Sequence, residues 1–354
     1  MPRNKTYAIA VLLTVAVVAG PALAQGVVGS HAAKQRASTK VGPRGPRGPR
    51  GAKGSQGLRG LNGVAGPAGA AGAPGANGSS ADSFLRTIVV SPSGDGPTAN
   101  GTLLLAAVGG IGGAAGSSPY LVWIEPGVYD LGATRLNVPS HVDVQGSGED
   151  VTTIEGEGPV TLAAAADTEI RQLTVTDTNG GGSADAIDTS GGLRDLTATA
   201  GGGSAATAVL ANGPTMPLVN VTATATTAEP GSFAQAIDTQ NTAQIDGGTF
   251  TAHEAAGVGQ AAALFAESTT SVSDATLRAT GGATPFAVDV VAASAAVTVR
   301  GSALTGAGGF FVAAGDTLGV GGSQIPGVAT SGSGTARCPA DWLANFSTAS
   351  TGCS

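Results

Sequence analysis

Asp185, Asp188 and Asp238 are the carboxylates of this 354-residue chain best placed to do chemistry. Asp188 and Asp238 share one context, Ala-Ile-Asp-Thr, and Asp185 lies three residues before the first. Identical contexts in a repeating chain put the same side chain on the same face, so the three are expected to stack on adjacent coils. Carboxylates gathered on one face suit general acid–base chemistry, in which one donates a proton and another removes one. Arg171 or Arg194 is expected nearby to supply positive charge. The alternative is that these aspartates cap turns or face solvent. His141 and His253 lie far apart in strand-like contexts and read as solvated strand residues rather than ligands. No nucleophile elbow, phosphate-binding loop or dinucleotide fingerprint is present. Neither a metal nor a cofactor is expected.

The elements that must position these aspartates are short strands. Runs of Val, Ile, Leu and Thr alternate with small or polar residues and are punctuated by Gly, Asn, Asp and Ser. The one helix expected is Thr102–Val108, with Thr102 as its N-cap. Apolar anchors recur at Leu173, Leu196, Val221, Phe250, Leu277 and Leu304, with spacings of 23, 25, 29, 27 and 27. A second set follows at Ile187, Val209, Ile237, Leu264, Val288 and Val312. A repeat of this length with glycine corners fits one coil of a parallel β-helix, each coil stacked about 4.8 Å above the last. A β-sandwich also has short strands and regular turns.

The start of this region carries a resemblance. VSPSGDGPTANGTLLLAAV, YLVWIEPGVYDL and LNVPSHVDVQGSGEDVTTIEG together resemble the opening coils of a right-handed β-helix of the pectin-lyase-like superfamily. The matching residues are Pro126, Gly127 and Tyr129, then Gly146, Gly148, Thr152 or Thr153, and Ile154. The resemblance implies an all-β parallel helix whose first coil is capped by a short helix, and these residues are architectural. Pectin-esterase-like sites in that superfamily use Gln-Asp-Thr-Leu and Val-Asp-Phe-Ile-Phe-Gly blocks, and polygalacturonase-like sites use Asn-Thr-Asp and Gly-His-Gly. None of these occurs here.

Upstream, glycine holds every third position from Gly42 to Gly78, giving thirteen consecutive Gly-X-Y triplets. This resembles the collagen-like stalks of bacterial surface and secreted proteins. Three polyproline-II chains meet at an axis with room only for hydrogen, so the register implies a homotrimer. A flexible Gly/Ala/Pro linker is the alternative, although a linker needs no strict period. Before the stalk, Arg3 and Lys5, the apolar run Ala8 to Gly20, and Ala22-Leu23-Ala24 read as an export signal, with an uncleaved anchor as the alternative.

The domains expected are therefore a signal peptide at 1–24, a basic leader at 25–41, the stalk at 42–80, a β-helix at 84–330 and a tail at 331–354. Charge divides along the same lines. Residues 25–80 carry eight basic and no acidic side chains, whereas the chain from Ala81 onward has 24 acidic residues against seven arginines. The basic stalk suits an anionic wall polymer, and the acidic head argues against nucleic acid as a partner. Cys338 and Cys353, the only cysteines, are expected to form a disulfide in an exported chain, within one chain or between chains. These features point to a secreted or cell-surface protein, structural or adhesive, presenting heads on a stalk and contacting itself and surface polysaccharide. The competing class is a polysaccharide-active enzyme with a divergent β-helix site. Gly57→Ala would place a methyl group at the crowded axis of the stalk. It is expected to lower the melting temperature of a trimeric species, read by circular dichroism and oligomer mass. A monomer with no cooperative stalk transition would remove the triple helix.

Overall fold

The computed structural model describes residues 86–292, 294–325, 332–338 and 342–343. The expected signal, leader and stalk lie outside the described residues, as do Cys353 and most of the tail. Cys338 itself is buried.

The head is a parallel β-solenoid. Every pair of neighbouring strands runs parallel, which rules out the sandwich, whose strands pair antiparallel. One sheet takes a single strand from each of eight coils: Leu136–Val138, Val160–Ala164, Ser183–Thr189, Ala205–Ala211, Phe233–Thr239, Gln260–Ala266, Thr284–Val290 and Gly309–Val312. The other two faces of the coil merge into a larger sheet because two long strands, Gly192–Gly202 and Met216–Thr227, run through both. Val, Ile and Thr suit strands whose inner side is fully packed, and the inward positions form columns. Leu136, Leu162, Ile187, Val209, Ile237, Leu264, Val288 and Phe310 stack one above another, all buried.

Both anchor series expected from the sequence lie in the core, but each changes column once. Leu196 pairs with Val221, whereas Phe250 pairs with Ala223 rather than Val221. Leu277 and Leu304 then continue the Phe250 column. Likewise Val288 pairs with Phe310, and Val312 belongs beside Val290, after an irregularity between Phe286 and Val288. A two-residue shift keeps a side chain on the same face, so burial alone does not expose it; a one-residue slip would have turned it outward.

Corners explain the polar punctuation. Gln172, Asp195, Asn220, Gly247, Asp274, Gly301 and Gly322 all have positive φ, between 47° and 71°. Each turns the chain between the two faces of the larger sheet. Asn, Asp and Gly tolerate this left-handed backbone at least cost. The corners also bond to one another: Asn220 Nδ2 donates to Asp195 Oδ1 at 2.9 Å. His141 is a corner residue too, with φ of 61°, rather than the strand residue expected.

Helix α1, Pro97–Gly109, caps the first coil. It begins five residues before the expected N-cap Thr102, because Pro97 fits the first turn and Gly96 precedes it at φ 104°. Gly101 lets the helix lie against the strand Gly127–Asp130: a Cβ there would meet Asp130 O at 1.9 Å. Tyr129 is fully buried, and its hydroxyl donates toward Val90 O and Glu125 O at 3.1 and 2.9 Å. Leu196 sits in the middle of the core at 0% exposure. Leu196→Asp is therefore expected to cost several kcal/mol and unfold the neighbouring coils, whereas Thr298→Asp on the exposed side should shift the thermal midpoint little. Equal midpoints for the two variants would contradict the inward column.

Candidate functional site

The outward positions of the eight-stranded sheet hold most of the head's unusual chemistry. Asp188 pairs in register with Leu210, Leu210 with Asp238, Asp238 with Phe265, Phe265 with Asp289, and Asp289 with Phe311. Asp188 and Asp238 do share a column, but two coils apart with Leu210 between them, not on adjacent coils. Asp185 lies in a neighbouring column whose next rungs are Thr207 and Gln235. The sequence reading missed Asp289. Its context, Ala-Val-Asp-Val, is the third copy of the pattern that marked the other two, with both flanking residues changed.

The carboxylates are recessed between apolar rungs. Leu210, Phe265 and Phe311 stay partly exposed, while Asp238 and Asp289 retain 7% and 1% of their surface. Phe311 also packs on Phe286 with ring centroids 5.7 Å apart. Burial pushes Asp289 up to about 7. Burial also pushes Asp238 up to about 7; the charges of Glu267 and Asp185 add to this, and a hydrogen bond from Gln240 opposes it. Asp185 is pushed up to about 6, again chiefly by burial, with the Thr207 hydroxyl opposing and Asp188 and Asp177 adding. Gln260 Nε2 donates to Asp289 Oδ2 at 2.7 Å. The other oxygens, Oδ1 of Asp238 and Oδ1 of Asp289, are buried with no hydrogen-bond partner.

At the helix-capped end the same face opens into a cleft of about 520 Å³. Val108, Ile111, Val138 and Pro139 form its apolar wall, and Arg135, Asn137, Asp188, Ser190 and Asn212 its polar side. Asn212 bridges two of these: its amide donates to Asp188 Oδ1, and its carbonyl oxygen accepts from Ser190. Burial raises Asp188, while the Arg135 guanidinium and the Asn212 amide hold it back. Arg135 is thus a cation on this face, lining the cleft and acting on Asp188. Arg171 and Arg194, expected there, sit on the larger sheet instead and pair with Glu169 at 2.6 and 3.6 Å. Nothing in the repeat pattern pointed to Arg135, which precedes the first regular coil. His253 is remote from the cleft and meets Thr280 Oγ1 through Nδ1 at 3.1 Å. Among the described residues no three His, Cys, Asp or Glu side chains converge to hold a metal.

A cleft lined in near-equal measure by apolar and polar groups, next to carboxyls shifted toward neutrality, is a candidate small-molecule or oligomer site. No protein-family model matches the chain, and no curated protein matches its sequence. Among solved structures, the chain is similar to pectin methylesterase from carrot, at 14% identity over 73% of this chain and 85% of that one, with a TM-score of 0.44. It is similar to pectin methylesterase PemA from Erwinia chrysanthemi at 9% identity, over 77% and 92% of the two chains, with a TM-score of 0.41. The A-module of mannuronan C-5 epimerase AlgE6 from Azotobacter vinelandii follows at 15% identity, over 72% and 88%, with a TM-score of 0.27. Likeness this loose carries nothing about activity; the solenoid rests on its own strand pairing.

The shifted carboxyls make stability depend on pH. The folded-state value of Asp238 lies near 7 against an ordinary 3.8. The folded protein therefore keeps a proton that the unfolded chain releases from about pH 4 upward. Its contribution is full below pH 4, is lost as pH rises to about 7, and is constant above that. Asp238→Asn is expected to flatten this slope and to stabilise the head at pH 8 by up to about 4 kcal/mol. Chemical denaturation at pH 4, 6 and 8 measures it. A variant less stable than the parent at pH 8 would contradict the burial assignment.

Proposed function

We propose that the head acts on polysaccharide by general acid–base catalysis, on the outer face of the eight-stranded sheet, and that it is exported on a trimeric collagen-like stalk. The observation that carries the catalytic reading is the pair Asp185 and Asp238: two recessed carboxyls on one face, pushed up by burial to about 6 and about 7, with the charge of Asp185 adding to the rise of Asp238. In this reading Asp185, the less strongly raised of the two, is the base that takes a proton from water, and Asp238 is the acid that gives one to the leaving oxygen of a glycosidic bond. Atoms balance as hydrolysis: water adds across the bond, and the proton lost by Asp238 is restored from solvent. The cleft beside Asp188 takes the sugars that flank the bond, with Ile111 and Pro139 along their apolar faces and Arg135, Asn137 and Ser190 toward their hydroxyls.

Export is supported by the Arg3 and Lys5 flank, the apolar run and the Ala22-Leu23-Ala24 site. Trimerisation is supported by the unbroken glycine register, and a disulfide between Cys338 and Cys353, within one chain or between chains, by the presence of these two cysteines alone in the sequence. The register also favours a second reading, a structural or adhesive head that binds surface polysaccharide without turning it over. Release of reducing ends from a panel of oligosaccharides separates the two. Turnover is expected to rise through about pH 6, fall through about pH 7, and drop at least about a hundredfold in Asp185→Asn and in Asp238→Asn. Binding without turnover on every glycan tested would leave the adhesive reading in place of the enzyme.

A further inference from the structure

The larger sheet carries a second regular surface, on a different face of the coil from the carboxylates. Thr153, Thr174, Thr197, Thr222, Thr249 and Thr276 lie beside one another in register on six successive coils. Two residues further along the same strands, Thr176, Thr199, Thr224 and Thr251 form a second column on four of those coils. The residues between the columns, Val175, Ala198, Ala223 and Phe250, are fully buried, so both columns point outward. We propose that this threonine grid binds the surface of ice. The function is separate from the polysaccharide reading and does not rest on it.

Four observations lead there. The first is the hydroxyls themselves. Thr174 donates to Glu149 O at 2.8 Å and Thr197 to Glu149 Oε2 at 2.7 Å. The hydroxyls of the other eight make no hydrogen bond among the described residues and are left to water. The second is spacing in two directions. Neighbouring coils set like positions about 4.8 Å apart, and alternate residues of one strand lie about 6.7 Å apart. Oxygens on a prism face of hexagonal ice repeat at distances close to both, so the grid and the lattice coincide along the solenoid axis and across it. The third is rigidity. Threonine is branched at Cβ and stiff at χ1, and Thr176, Thr199, Thr224 and Thr251 are partly buried against their neighbours. Hydroxyls already fixed in place lose little freedom when water orders on them. One such bond gains nothing over liquid water, but ten at lattice spacing act together. The fourth is the border. Glu155 and Arg278 stand at the two ends of the second column, and no charged side chain interrupts the four threonines between them. None of the residues lining the cleft belongs to this face, which suits the plane of a solid better than a single soluble chain.

Slow growth of ice from a solution of the fluorescently labelled full chain tests this, with serum albumin as the non-binding reference. The chain is expected to enter the ice at least about tenfold more than albumin does, through the many contacts of the grid acting together. Thr199→Tyr and Thr222→Tyr raise a ring from the centre of the grid, and each is expected to abolish most of that enrichment while the thermal midpoint stays at the parent value. Thr298→Tyr, at an exposed position on the other face of the larger sheet, should leave the enrichment unchanged. Exclusion of the parent chain from ice to the same extent as albumin would overturn the proposal, whatever the oligosaccharide panel shows. Full enrichment of both grid variants, or an equal loss in all three variants, would overturn it as well.

Discussion

The head depends on one constraint: the backbone hydrogen bonds of each coil are made to the coils immediately before and after it. A parallel ladder of this kind leaves no freedom in register. Once Leu193 lies beside Leu218 and Leu196 beside Val221, every other side chain on those strands has a fixed neighbour above and below. Inward, this turns a weakly hydrophobic composition into a continuous core, in which small and large apolar residues stack in one column, as Ala223 and Phe250 do. Outward, the same constraint turns any residue type that recurs at the coil period into a line of identical groups. The carboxylate column is therefore a by-product of fold geometry applied to a sequence that repeats an aspartate in every second coil.

Such a column is held against its own electrostatics. Asp185, Asp188, Asp238 and Asp289 would repel one another if all were ionised, and the apolar rungs between them take away the water that would screen the repulsion. The ladder tolerates this because its backbone hydrogen bonds run within the sheet, between strands, and its buried apolar columns lie on the other side of it. Stability and chemistry are thus carried by opposite faces of the same strands, and the outer face has latitude to hold groups that cost folding energy.

The fold was legible because its signal is periodic. Leu173, Leu196, Val221, Leu277 and Leu304 marked the coils correctly, and the Pro126-Gly127 turn with Tyr129 marked the capped beginning. The exact columns were less legible. The shifts at Phe250 and Val312 are of two residues, which alternation cannot register, since both alternatives are apolar and inward. The start of α1 was missed because Pro97 and Gly96 set it from outside the apolar run. At the site, Asp188 and Asp238 were found through identical flanks, while Asp289 was lost when Ile and Thr became Val and Val. That change is silent to packing. Arg135 was invisible for a different reason: it reaches Asp188 by the fold's closure around the first coil, and no local pattern records that.

The alternation of carboxylate and apolar rungs also says how this head can change length. A solenoid gains or loses whole coils without disturbing those elsewhere, because each touches only its neighbours. Here a single coil is not a neutral increment. Inserting one would set two aspartates or two apolar residues side by side and break the pitch of the column. Asp188, Asp238 and Asp289 are 50 and 51 residues apart, so the unit that can be duplicated or deleted while the outer surface keeps its rhythm is the double coil. Natural variants of this architecture should thus differ in steps of about fifty residues rather than about twenty-five, each step adding one carboxylate rung and one apolar rung to the column.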